Sequence, residues 1–227
     1  MPIRHTKKEA IKIVVSCAQQ YEQELNGRSL LFVCMDKHGA ISCHEFSFRP
    51  ENFLHLTGLK TIHNERELKR LGQKNAEVVS ATDFYSRCIN QKLSPKDFEL
   101  ADGGTTDMKL DVLPSVLNKN LSAKMIGAYN SSKPLLYTEK LAGNTNACMG
   151  FVQDSATKLF FPNTMLKEDL RVNVHGYVRV ILAYRKEQSK GKYEEITYAA
   201  KKIDWSQIKV PTPFDDVPLP SNSAPCQ

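Results

Sequence analysis

The sequence has few of the features that mark common function classes. Its six cysteines, at 17, 34, 43, 88, 148 and 226, include no C-x-x-C pair, and most sit in apolar stretches. Buried free thiols in a reducing compartment explain that scatter better than disulfides or a redox centre. No apolar run approaches the ~20 residues of a membrane-spanning helix. The opening MPIRHTKKEA is basic with no apolar core behind it, so no secretory leader is expected. Gly103-Gly104-Thr105-Thr106 lacks the lysine of a phosphate-binding P-loop. There is one tryptophan and no internal repeat.

What remains is an ordinary globular composition. Of 227 residues, 41% are apolar and 25% charged, which is enough to bury a core without disulfide or metal staples. The net charge of +6 permits a phosphate-bearing partner without demanding one. We expect a soluble cytoplasmic protein with one domain over residues 1–205. The Pro-rich stretch 206–227 cannot bury a core and is expected to be disordered, with Trp205 pinning the segment before it onto the domain.

Local patterns give an α+β order. Thr6-Lys7-Lys8-Glu9 is a capping box, Ile11, Val14, Val15, Ala18 and Tyr21 follow at helical spacing, and Asn26-Gly27 closes the run. Residues 29–35 and 40–48 read as a β-hairpin around Asp36-Lys37-His38-Gly39. Helices are expected over 64–73, over 80–92 behind a Ser80 or Thr82 cap, and near 107–120, with Pro114 marking a break or a second helix start. From residue 124 the chain turns β-rich. In YVRVILAY, Val178, Val180, Leu182 and Tyr184 alternate as one face of a half-buried strand.

Three segments can carry chemistry. In Phe53-Leu54-His55-Leu56-Thr57-Gly58, a histidine between bulky apolar residues is expected to be partly buried, and hence neutral and able to move a proton near pH 7. A structural histidine bonded to a backbone carbonyl is the plainer reading of the residues alone. In Asn130–Lys140, a strand would put Tyr137 and Glu139 on one side and Thr138 and Lys140 on the other. Hydroxyl and ammonium groups together can hold a phosphate, and a plain solvated strand is the alternative. Asn163 or Thr164 can cap a short helix over Leu166–Arg171. Cys34, His38, Cys43 and His44 include metal-binding types, but neighbours 43 and 44 on a strand point apart, so no metal or other cofactor is expected.

The segments NFLHLTGL, FYSRCINQKLSPKDFEL, LLYTEKLAGNTNACMGF and PNTMLKEDLR, in this order, resemble the fourth group of the phage-linked barnase/EndoU/colicin/RelE-like nucleases. The resemblance runs from about residue 29 to 186 and leaves out the N-terminal helix and the tail. It implies helices packed on a curved antiparallel β-meander, and cleavage of RNA without a metal inside a bacterial host, with RNA and a cognate inhibitor protein as partners. It also implies general acid–base work by His55, with Thr57 orienting it or touching the phosphate. Lys133 or Lys140 would steady the phosphate, and Tyr137 and Thr138 would line the site. One departure is Ala128, where the resemblance implies an acidic residue.

Two other classes stay open. His55, Tyr137 and Glu139 stand in the order of an NAD-dependent ADP-ribosyltransferase site. A phage accessory protein that binds a partner through a degenerate nuclease scaffold would also account for Ala128.

Overall fold

The computed structural model describes residues 4–62, 78–101, 104–131 and 136–221. The helix expected over 64–73 and the candidate Lys133 lie outside these residues. Helix α1 (Lys7–Glu24) starts at the anticipated capping box. The Thr6 hydroxyl accepts from the Glu9 amide, and the Glu9 carboxylate accepts from the Thr6 amide at 2.7 Å. Gly27, at φ +69°, turns the chain into the hairpin of β1 (Arg28–Met35) and β2 (Ile41–Ser47). Next come α2 (Asn52–Thr57), the two-residue β3 (Leu59–Lys60), α3 (Ala81–Ile89), β4 (Glu99–Leu100) and α4 (Thr105–Val116). Ser80 caps α3 as expected, and α4 continues through Pro114.

The β-rich half supplies β5 (Met125–Tyr129), β6 (Lys140–Gly143), β7 (Cys148–Gln153), β8 (Phe160–Leu166), β9 (Val174–Glu187) and β10 (Glu195–Ala199). The sheet runs β1-β2-β8-β7-β6-β5-β9-β10, and β1 also pairs with β9. Seven strands therefore close on themselves, with β10 attached outside the ring. This corrects the expected curved meander, though the α+β class and the N-terminal helix hold. Closure rests on two contacts distant in sequence: the long antiparallel β1–β9 ladder and a single parallel pair, Phe46 with Phe160.

Register decides what faces inward. Leu30, Phe32 and Cys34 pair with Phe46, His44 and Ser42. Ile126 and Ala128 pair with Ala142 and Lys140, which pair in turn with Met149 and Phe151. Paired residues share a face, and the Phe46 and Phe151 rings meet at 4.0 Å, so both sets look into one interior. That interior merges with the apolar faces of the helices. Tyr21 of α1 packs on Phe48, Phe53 and Tyr85, and its hydroxyl donates to the Arg49 carbonyl at 2.9 Å.

The other face of β1 and β9 carries a second core, with Leu31, Val33, Leu182, Tyr184 and Tyr193. The expected single face of β9 breaks at a bulge opposite Val33 and Cys34. Val178 and Val180 pack with the inner core while Ile181, Leu182 and Tyr184 lie outside. Both faces are buried there because the C-terminal segment lies over the outer one. Trp205 is buried as anticipated, Val217 is buried with it, and Ile208, Val210 and Phe214 pack alongside. The Tyr184 hydroxyl donates to the Pro218 carbonyl at 2.7 Å. Residues 206–221, expected to be disordered, thus follow the barrel wall, because their few apolar side chains match an otherwise bare sheet face.

Candidate active site at the barrel mouth

At one end of the barrel the inward positions stop being apolar. Along β2 they read Phe46, His44, Ser42; along β6, Ala142 then Lys140; along β5, Ile126 then Ala128. A cleft of about 280 Å³ opens there, bordered by Ser42, His44, Ala128, Lys140, Gly176 and Tyr177 and floored by Ile126 and Val178. Small residues leave room there: Ala128 puts only a methyl group opposite Lys140, and Gly176 on the same rim has no side chain.

His44 and Lys140 come from strands that are not neighbours and meet across the interior, with Nδ1 and Nζ 3.3 Å apart. The Ser42 Oγ lies 3.4 Å from the His44 Nε2. An ammonium only donates, so the His44 Nδ1 must accept, which leaves the imidazole proton on Nε2, directed at Ser42. Burial, aided by the Lys140 charge, pulls the His44 pKa down to about 4, so the ring is neutral at pH 7. Burial also draws the Lys140 ammonium below the usual lysine range, against an opposing pull from Glu139. The Phe160 ring, its centroid 4.1 Å from Nζ, supports the charge. Among the described residues, no carboxylate forms an ion pair with Lys140.

The other residues singled out in the sequence take varied positions. His55 is exposed on α2, not partly buried as expected, and its carbonyl accepts from Lys109 at 2.9 Å. Thr57 is fully buried. Its hydroxyl donates to the Leu54 carbonyl at 2.8 Å and accepts from the Leu59 amide at 3.1 Å, closing the end of the short helix. Tyr137 and Thr138 precede β6 instead of lying on it, so the expected alternation of faces does not apply. Tyr137 is 87% exposed. The Thr138 hydroxyl donates to the Phe151 carbonyl at 3.2 Å and to the Asn163 Oδ1 at 3.1 Å, and the Asn163 amide donates to the Tyr137 carbonyl. Gly150 makes room for this clamp, since a Cβ there would come within 2.6 Å of the Thr138 hydroxyl. Asn163 and Thr164 lie in β8 instead of capping a helix; Asp169 caps the 3-10 turn Leu170–Val172.

Of the expected set, therefore, Lys140 lies in the cleft, with Tyr137 and Thr138 just before it in the chain. His44 and Ser42 were not among the candidates for proton transfer. The signal was available in the sequence: polar residues alternate with Phe46 along one strand. Among the described residues no group of three His, Cys, Asp or Glu is placed to hold a metal ion. No helix among them is long and apolar enough to cross a membrane.

A closed β-barrel with a polar mouth, backed by helices, does not by itself define an activity. The family model described as phage-Barnase-EndoU-ColicinE5/D-RelE like nuclease4 matches residues 13–202, and the chain belongs to that family of phage-linked nucleases. The match includes most of α1, which the sequence resemblance had left out. No curated protein and no solved structure matches the chain.

Proposed function

We propose that this nuclease cleaves RNA without a metal ion, at the barrel-mouth cleft, with His44 and Lys140 as the catalytic pair. The observation that carries the reading is the contact between a neutral imidazole and an ammonium with no carboxylate partner among the described residues. An incoming phosphodiester offers Lys140 an anion, and Lys140 then releases the His44 Nδ1 to act as base. His44 accepts the proton of the ribose 2′-hydroxyl at Nδ1. The O2′–P bond forms and the P–O5′ bond breaks. Lys140 stabilises the non-bridging oxygens and gives a proton to the departing O5′, a task eased by its lowered proton affinity. Transfer from the His44 Nδ1 to the Lys140 Nζ across their contact restores both groups.

In this reading His44 supplies the base that the resemblance places at Ala128, so the alanine does not imply an inactive copy. Tyr137, standing in solvent just before Lys140, offers a ring for a base to stack on, and Thr138 holds that segment in place. The acid–base role falls to His44 in preference to His55, whose ring is exposed on α2. A cognate inhibitor protein would act by presenting a carboxylate to Lys140.

The test is incubation with total bacterial RNA in EDTA, comparing wild type with His44→Ala, Lys140→Met and His55→Ala. We expect cleavage by wild type and His55→Ala, with losses of about 10²-fold or more in the other two. Loss in His55→Ala with His44→Ala unaffected would move the site to α2.

A further inference from the structure

We propose that Lys140 has a second role, as the nucleophile that captures the ring-opened sugar aldehyde of an abasic site in nucleic acid and cuts the strand by β-elimination. This rests on the same cleft but not on RNA cleavage. An imine-forming lysine needs an amine freed from tight ion pairing, an apolar wall, room for a carbonyl carbon and a base close by. Lys140 meets each requirement. Its Nζ contacts an imidazole nitrogen and an aromatic face and, among the described residues, no carboxylate. Ile126, Ala128 and Val178 give the cleft apolar walls, and its volume of about 280 Å³ accommodates a five-carbon sugar remnant. Burial of the ammonium adds to the fraction of free amine.

The chemistry balances with water alone. The Lys140 Nζ attacks the C1′ aldehyde, forming a C–N bond, and the carbinolamine oxygen leaves as water to give the iminium. The His44 Nδ1 takes a proton from C2′, the C2′=C3′ double bond forms, and the C3′–O3′ bond breaks, with the phosphate oxygen leaving on its electron pair. Water then hydrolyses the imine and returns Lys140. His44 is suited to this step because it is neutral and already in contact with Nζ, so it lies close to the carbon next to the imine.

The probe is a short single-stranded DNA carrying one abasic site, incubated with the full chain and sodium cyanoborohydride. We expect a covalent adduct mapping to Lys140 by peptide mass, reduced about tenfold or more in Lys140→Arg. His44→Gln should still form the adduct but release the cut strand more slowly when the reductant is omitted. An adduct spread over surface lysines, or undiminished in Lys140→Arg, overturns the proposal, as does no adduct from a wild-type chain that melts cooperatively. Lys140→Met, measured with its melting temperature, excludes misfolding as the cause of a lost adduct. Adduct without RNA cleavage supports this inference and sinks the ribonuclease reading. RNA cleavage without adduct does the reverse.

Discussion

The two ends of the barrel interior are built from the same strands but filled differently. Toward the helices, the inward positions hold Phe46, Ala142, Met149, Ile126 and Val180, all buried in one core with the apolar faces of the helices. Two residues further along the same strands stand His44, Lys140 and Ala128, with Ser42 two beyond His44. The first set does what interior residues normally do, removing apolar area from water at about 25 cal/mol per Å². The second places a cation and a titratable ring where apolar side chains would pack better. The proposed function accounts for that exchange by chemistry at the polar end, with stability served at the apolar end.

Substitutions at the two ends should therefore separate the two properties. The largest effect on folding is expected from Phe46→Ala, which leaves a cavity between Phe32, Phe151 and Phe160. Denaturant unfolding should show a loss of about 3–5 kcal/mol. Lys140→Met at the other end should leave stability unchanged or raise it by up to about 1 kcal/mol, because it removes a half-buried charge that, among the described residues, has no carboxylate ion-pair partner. A loss of several kcal/mol there would show that the cleft is structural and erase the contrast.

A smaller, pH-dependent effect belongs to His44. Its pKa is depressed in the folded chain to about 4, against about 6.5 unfolded, so the native state prefers the neutral ring. The unfolded chain binds more protons between those values. The stabilisation is thus fully present above pH 6.5 and is lost as pH falls toward 4. We expect an acid-side loss of roughly 2 kcal/mol, less than the full shift implies because the ring keeps some solvent contact. It should be absent from His44→Gln in melts across that window.

Thr57→Val should cost about 1 kcal/mol, through the lost hydroxyl bonds that close α2, and leave RNA cleavage unaltered. A variant that folds as wild type but cannot cleave RNA would instead give Thr57 a catalytic role.

The sequence revealed these regions unequally. Local signals carried furthest: the capping box at Thr6, the β1–β2 hairpin, the Ser80 cap and the anchoring by Trp205 each depend on residues close together in the chain or on burial of one large ring. Barrel closure was not legible, because the β1–β9 ladder and the Phe46–Phe160 contact join segments with no local mark of their pairing. The bulge in β9 was hidden for the same reason, since it is defined only against Val33 and Cys34 of its partner. At the site, Lys140 stood out through the strand pattern it shares with Thr138 and again through the resemblance, whereas His44 was considered only as a metal ligand. Without the register of β2 against β1, nothing showed that Ser42, His44 and Phe46 share the inner face. His55 drew attention through its apolar neighbours, but a short helix buries Phe53, Leu54 and Leu56 while leaving the residue between them exposed.

The most direct test of the central claim is the initial rate of RNA cleavage in EDTA across pH 4 to 10 for wild type and His44→Ala. A neutral imidazole base with a lysine partner predicts a wild-type rate that rises on the acid side near the His44 pKa of about 4. It should fall again on the alkaline side below the usual lysine range, and His44→Ala should be lower by about 10²-fold throughout. Equal rates and profiles for the two proteins would contradict the account and place the chemistry away from the barrel mouth.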